Sequence, residues 1–250
     1  MTAHLAAVPG FFLNAERAFF DGGELCLSLG MSVQDTDRLS SIIAQRLKIK
    51  KGAVLYRAGD PLHSLYAVRS GYFKTTLSSR DGREQLTGFP MSGELLGCDA
   101  ISRDRHECDA MALEDSEVCP IHFSQLERLS RELPSLQRNL NRVLSQEIVR
   151  DHEMLLMIGN LNAEERLATF LLDLSCRMAA RGYSGTAFAL HMSREDIGGY
   201  LGLRLETICR AISSLRSQGI VSIAGRAVRI LDLGRLRGLI TGCEKGLTTL

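Results

Sequence analysis

Glu206, Cys209, Arg210 and Ser213 stand at i, i+3, i+4 and i+7 in the run that begins "GGYLGLRLETICR". A helix through them shows an acid, a thiol, a base and a hydroxyl on one stripe. Two kinds of chemistry suit that stripe. Glu206 and Arg210, in the favourable i,i+4 order, can make a solvated surface ion pair. Laid in a DNA major groove, the arginine fork instead meets O6 and N7 of guanine, and the glutamate accepts from the cytosine amino group. Each such contact is worth about 1–3 kcal/mol of base discrimination. An acid on such a helix does nothing for phosphate attraction, so the second reading implies sequence recognition rather than charge alone. Catalytic chemistry finds less support. There is no Ser/His/Asp grouping, HExxH, phosphate loop or CxxC, and the histidines at 4, 63, 106, 122, 152 and 191 show no ligand spacing.

The flanking residues favour the groove. Ser193 sits three residues before Asp196, a capping-box pattern that opens a short helix ending at Gly202. Leu205, Ile208, Ile212 and Leu215 then recur at helical spacing up to Gly219, which turns the stripe of Glu206 and Arg210 outward. "IVSI" and "AVRIL", joined around Gly225, read as a β-hairpin. Two short helices across a glycine turn with a hairpin behind them is the layout of a winged helix-turn-helix. In that layout Gly198 and Gly199 are expected to let the first helix approach the second, and Gly202 to take the tight turn.

Upstream, the spacing predicts a helix over 163–182 and a longer one from Pro134 to about Gly159. The longer helix carries Leu144, Ile148, Asp151, Leu155 and Ile158 along one seam. A second apolar stripe holds Leu140, Val143, Met154, Leu156 and Met157. One stripe is expected to face its own domain and the other a partner. From Leu47 to about Cys119, short β-branched and apolar segments alternate with turn residues, predicting a sandwich or barrel of antiparallel strands in which Leu65, Ala67, Phe73, Thr75 and Leu77 share a face. The fold class is therefore α+β: an N-terminal jelly-roll-like β-roll, a long helix and a C-terminal winged helix.

Composition fits a cytoplasmic globular protein, with 45% hydrophobic and 24% charged residues over 250 positions. No apolar run is long enough for a membrane helix, and the N-terminus does not read as a secretory signal. Net charge is +1, but residues 161–250 hold 12 Lys+Arg against 8 Asp+Glu, a mild bias that permits nucleic-acid binding. Seven scattered cysteines, at 26, 98, 108, 119, 176, 209 and 243, form no disulfide framework and no zinc motif.

"LGLRLETICR", "SREDIGGY" and "NAEERLATFLLDLS" resemble the winged-helix domain of the fumarate-and-nitrate-reduction regulator (FNR) branch of the cyclic-AMP-receptor-protein superfamily. "KKGAVLYRAGDPLHSLYAVRSG", "DGREQLTGFPMSGELLGCDAI" and "LEDSEVCPI" resemble its β-roll sensor domain, and "SQEIVRDHEML" its dimerisation helix. The resemblance implies a homodimeric transcription regulator that binds two-fold double-stranded DNA and touches RNA polymerase. The implied parts are an N-terminal segment 1–27, a sensor domain 28–133, a dimerisation helix 134–160 and a DNA-binding domain 161–250. It puts Glu206 and Arg210 at base-reading positions, with Arg204, Thr207, Cys209 and Ser213 around them. Arg204 and Cys209 depart from the family's threonine and serine, so a weaker helix cap and a weaker polar partner are expected.

Departures also touch the signal. The family's four-iron four-sulfur cluster uses three N-terminal cysteines and one from the β-roll. Cys26 and Cys119 match two of them, and the other two positions fall near Arg17 and Phe20. Two cysteines do not complete such ligation. Cys98, Cys108 or Asp21 as substitute ligands have no spacing in their favour. Thiol oxidation at Cys26, Cys119 or Cys209 is one other route, and an unidentified effector or constitutive action is another. The superfamily's nucleotide binders hold a cyclic phosphate with an Arg-Ser pair, where Cys108 and Asp109 stand here, and a carboxylate repels phosphate. Haem or a metal on His106 and His122, or a regulatory binding module of the same fold, completes the alternatives. At the centre of the seam Asp151 is expected to meet its own symmetry mate and to weaken dimerisation by like-charge repulsion.

Overall fold

The computed structural model describes residues 26–28, 30–43, 46–79 and 81–241. The chain divides into two compact units. The first holds the described residues up to Val149 together with His191–Gly202, and the second holds Arg150–Leu190 and the residues from Leu203 on. Apart from Cys26, Leu27 and Ser28, the segment before Gly30 lies outside the described residues, and so do Arg17, Phe20, Asp21 and Cys243.

In the first unit a 3-10 turn, Cys26–Ser28, precedes α1 (Val33–Ser41), whose N-cap Ser32 accepts from the Asp35 amide. The strands are β1 (Leu47–Ile49), β2 (Val54–Tyr56), β3 (Ser64–Ser70), β4 (Phe73–Ser78), β5 (Glu84–Gly88), β6 (Leu95–Leu96), β7 (Cys108–Ala112) and β8 (Ser116–His122). They pair antiparallel into two four-stranded sheets, ordered β1-β8-β3-β6 and β2-β7-β4-β5. Helices α2 (Phe123–Glu132) and α3 (Pro134–Asn160) follow, with α3 running on into the second unit.

Alternation along β3 serves two cores. Leu65 and Ala67 pack with Leu27, Leu39, Leu126, Leu136 and Val143, tying the sheet to the helices. Val68, one residue out of phase, joins Tyr56, Phe73, Ala112 and Val118 in the core that the two sheets share. The expected common face for Leu65, Ala67, Phe73, Thr75 and Leu77 does not form. The turn at Gly71 carries the chain from one sheet into the other, so Phe73 lies in the second core and Leu77 is exposed.

The second unit has α4 (Ala163–Ala180), β9 (Ala187–Ala189), α6 (Leu205–Ser217), β10 (Val221–Ala224), β11 (Ala227–Ile230) and α7 (Leu233–Thr241), while α5 (Arg194–Leu201) belongs to the first. A capping box between Asn162 and Glu165 starts α4, which packs against α6 and α7. The expected hairpin is β10–β11, turning at Gly225, and β9 adds a third strand on β11. Buried Ile208, Ile212, Leu215, Val228 and Leu236 line the inner faces.

Gly71, where the chain passes from one sheet into the other, lies close against β8. Its φ is +92°, and a Cβ there would lie 2.1 Å from Ser116 Oγ and 2.9 Å from Ser116 Cα. Gly82 has a similar φ of +79° with open space around it. Gly82→Ala therefore costs about 1 kcal/mol, the left-handed backbone alone. Gly71→Ala must also displace a neighbouring strand and costs more than about 3 kcal/mol. Thermal melts of the two variants measure the difference, and equal losses would contradict it.

Candidate DNA-binding interface

Helix α6 is held from below and open above. Ile208, Ala211, Ile212 and Leu215 are buried, and at its C-terminal end the Gln218 side chain donates to Ser214 Oγ at 3.0 Å and to Glu164 at 3.3 Å. Arg235 Nη1 donates to the Gln218 carbonyl at 2.9 Å. Held there, the helix leaves Arg204, Glu206, Arg210 and Ser213 exposed on one stripe, with Thr207 and Cys209 half-buried at its edge. Glu206 in the first turn and Arg216 in the last match the helix dipole.

Among the described residues Glu206 and Arg210 form no ion pair with each other or with another group. Ser213 is less free. Its Oγ donates to the Cys209 carbonyl at 2.9 Å, which leaves the hydroxyl as an acceptor. The N-cap, Arg204, has extended backbone and makes no side-chain capping bond, as its departure from threonine implies. Gly202 is left-handed at φ 64° and its N–H donates to the Gly198 carbonyl, closing the expected turn.

Gly199 has a different role from the one expected. A Cβ there would come within 3.0 Å of Leu86 Cδ1, so its closeness serves the β-roll strand β5. Arg226, exposed at the turn between β10 and β11, escaped sequence reasoning although a basic residue beside a hairpin glycine was a readable signal.

On α3, Ile148 is 56% and Leu155 70% exposed, Asp151 is exposed, and Leu144 and Ile158 are half-buried. On the other stripe Val143 and Met157 are buried. Partial burial raises the Asp151 carboxyl above its usual range, against the opposing pull of Arg150 and His152.

The β-roll thiols are quiet. Cys119 is buried in the helix-side core, and burial pushes its thiol up against the weaker pull of Arg69 and Arg46. Cys108 is pushed up to about 11 by burial and by Asp99. Cys26 opens its 3-10 turn. Among the described residues no three His, Cys, Asp or Glu side chains converge as metal ligands. Of the cluster positions that the resemblance implies, Cys119 has a described side chain, and it lies in the helix-side core.

His106 is buried and stacks on Tyr56 at 3.8 Å with its Nδ1 3.7 Å from Asp99, while His122 pairs with Ser64 Oγ at 3.2 Å. Asp99 accepts from the Glu107 and Cys108 amides and Asp109 from the Ala58 amide. Two carboxylates therefore occupy the region where a cyclic phosphate would need cations. No helix among the described residues is long and apolar enough to cross a membrane.

A family model described as a Crp-like helix-turn-helix domain matches residues 165–239, and one described as a cyclic nucleotide-binding domain matches residues 46–132. The transcriptional regulatory protein btr of Bordetella pertussis is 45% identical over 218 residues, covering 87% of this chain and 90% of that one. The fumarate and nitrate reduction regulatory protein of Shigella dysenteriae is 44% identical over 207 residues, 83% of each chain. FixK2 from Bradyrhizobium japonicum superposes with a TM-score of 0.72 at 32% identity, covering 78% of this chain and 96% of that one. Similarity of this degree through both matched domains means that the chain belongs to the CRP/FNR family, as a DNA-binding transcriptional regulator of the FNR type and not an enzyme.

Proposed function

We propose that two copies join along α3 and present two α6 helices to successive major grooves of a two-fold DNA site. The observation that carries this reading is the stripe of Arg204, Glu206, Arg210 and Ser213, exposed and without an internal ion pair on a helix fixed at its far end. Arg210 and Glu206 read bases, Thr207 and Cys209 border them, and Arg226 on the wing meets a phosphate. Residues 28–133 serve as sensor, 134–160 as dimerisation helix and 161–250 as DNA-binding domain. RNA polymerase is the partner at the promoter, and the cytoplasm is where the protein works.

Leu155 and Ile148, large apolar side chains left in water, support α3 as the joint, together with Leu144 and Ile158. Asp151 between them makes that joint conditional, and small movements in the β-roll decide whether the dimer forms. A redox signal accords with the name of the Shigella relative, a fumarate and nitrate reduction regulatory protein. The raised thiols of Cys119 and Cys108 weigh against either as the reactive group, because the thiolate is the reactive form. Cys26 and Cys209 are the remaining candidates of that route.

A duplex selected from a random library supplies the operator. Against it, Arg210→Ala costs about 1–3 kcal/mol and relaxes the preference at one base pair, whereas Arg226→Ala weakens all duplexes alike and lowers the salt slope by about 1. Arg210→Ala behaving like Arg226→Ala in competition binding would overturn the assignment.

Dimerisation carries its own pH dependence. An Asp151 carboxyl raised further in the dimer than in the single chain takes up a proton on association, so association strengthens as pH falls through its titration and weakens above it. Sedimentation from about pH 7 to about pH 5 should show tighter dimers at the acid end. Asp151→Ala should be more dimeric throughout and lose the slope.

A further inference from the structure

Helix α5 is the first helix of the matched helix-turn-helix, yet it packs on the β-roll within the first unit. Lys74 on β4 donates from Nζ to Asp196 Oδ1 at 2.6 Å, with the two side chains only 25% and 14% exposed. The same carboxylate caps the helix, its Oδ2 accepting from the Ser193 amide at 3.0 Å and hydroxyl at 2.7 Å. Burial would push Asp196 up, but Lys74 and Ser193 outweigh it and hold the carboxyl below its ordinary range. At the other end Gln85 on β5 donates from Nε2 to the Gly199 carbonyl at 2.7 Å and the Tyr200 carbonyl at 3.3 Å. Those are carbonyls that a helix C-terminus leaves without intrahelical partners. Between the two ends the Gly199 backbone rests against Leu86, and Phe89 meets Tyr200 with ring centroids 5.3 Å apart.

An eight-residue helix with two adjacent glycines has little stability of its own. Here β-roll side chains hold both of its ends. Only Gly202, Leu203 and Arg204 link it to α6, and Gly202 is in a left-handed turn, so the chain enters the reading helix directly from the seated α5. The contact does not mask the reading stripe, since Arg204, Glu206, Arg210 and Ser213 are all exposed.

We infer that Lys74 and Gln85 are positioning residues for DNA binding: they seat α5 on the β-roll, giving the sensor domain a grip on the reading helix in addition to α3. The inference rests on the reading of α6 as the base-reading helix. Neither residue touches DNA in this role, and both act through α5.

The test uses the full chain with Lys74→Met, which keeps the length of the side chain and removes its charge. Hydrogen exchange of the amides in 194–201 should speed about tenfold, and affinity for the selected operator should fall about tenfold. The salt slope should be unchanged, because no phosphate contact is lost. Gln85→Ala should act the same way, and Lys74→Arg should restore both readouts. Faster exchange with unaltered operator affinity would overturn the inference. So would a gain in affinity, which would mean restraint rather than positioning, or a reduced salt slope, which would mean that Lys74 meets a phosphate. Unaltered exchange would show that the pair does not seat α5. A wild-type chain without preference for any duplex would sink the base-reading assignment and this inference with it, whereas normal wild-type binding beside any of the other failures sinks this inference alone.

Discussion

From Ser64 to Val68, strand β3 has no face to give to water. Leu65 and Ala67 must go toward the helices and Val68 toward the opposite sheet, so a shift of register by one residue would exchange the contents of two cores at once. The two-sided demand fixes β8 and β6 on its edges and sets the depth at which Leu136 and Val143 of α3 are gripped. Burial of a leucine or valine side chain contributes about 1.5–3 kcal/mol. Those side chains anchor the first turns of α3, and its later turns extend away from that anchor with Ile148 and Leu155 uncovered.

The DNA-binding half divides its labour differently. Apolar residues of α6 and the polar ties through Gln218 and Arg235 make one side rigid. The opposite side keeps charges that find no partner within the described chain. An unpaired arginine and glutamate four residues apart on an exposed helix would gain from pairing, though by only a few tenths of a kcal/mol. That small gain is easily given up to a base edge.

Much of this was legible in the sequence, and the failures are instructive. Ser193 with Asp196, the left-handed Gly202 and the apolar spacing from Leu205 to Leu215 are local signals, and each element stands where they point. Leu65 and Phe73 were misread together because alternation gives the side of a strand and not the sheet that it joins, and the bend at Gly71 changes the sheet. Gly199 was assigned the wrong neighbour for a related reason. Nothing near it in sequence announces Leu86, more than a hundred residues earlier. Helix α2 and strand β9 have weak signals, α2 because it is short and runs to its C-cap Leu133 just before the longer helix that Pro134 opens, and β9 because three residues are too few to show alternation. Cys119 is legible as a core residue, and that burial is what raises its thiol, against an opposing pull of Arg69 and Arg46 that no local signal announces.

The seating of α5 also bears on the order in which the chain can fold. In the β-roll β4 with β5 is the local pair, whereas β3 must find β8 and β2 its partner β7 about fifty residues on, and β1 must find β8 some seventy on. Such pairings close late and slowly, whereas α6, β10 and β11 are neighbours along the chain and assemble without waiting. Helix α5 takes its partners from the β4–β5 hairpin, more than a hundred residues earlier in the chain. During synthesis the β-roll strands emerge first, so a strand platform can be ready when residues 191–202 appear; refolding from denaturant has no such head start.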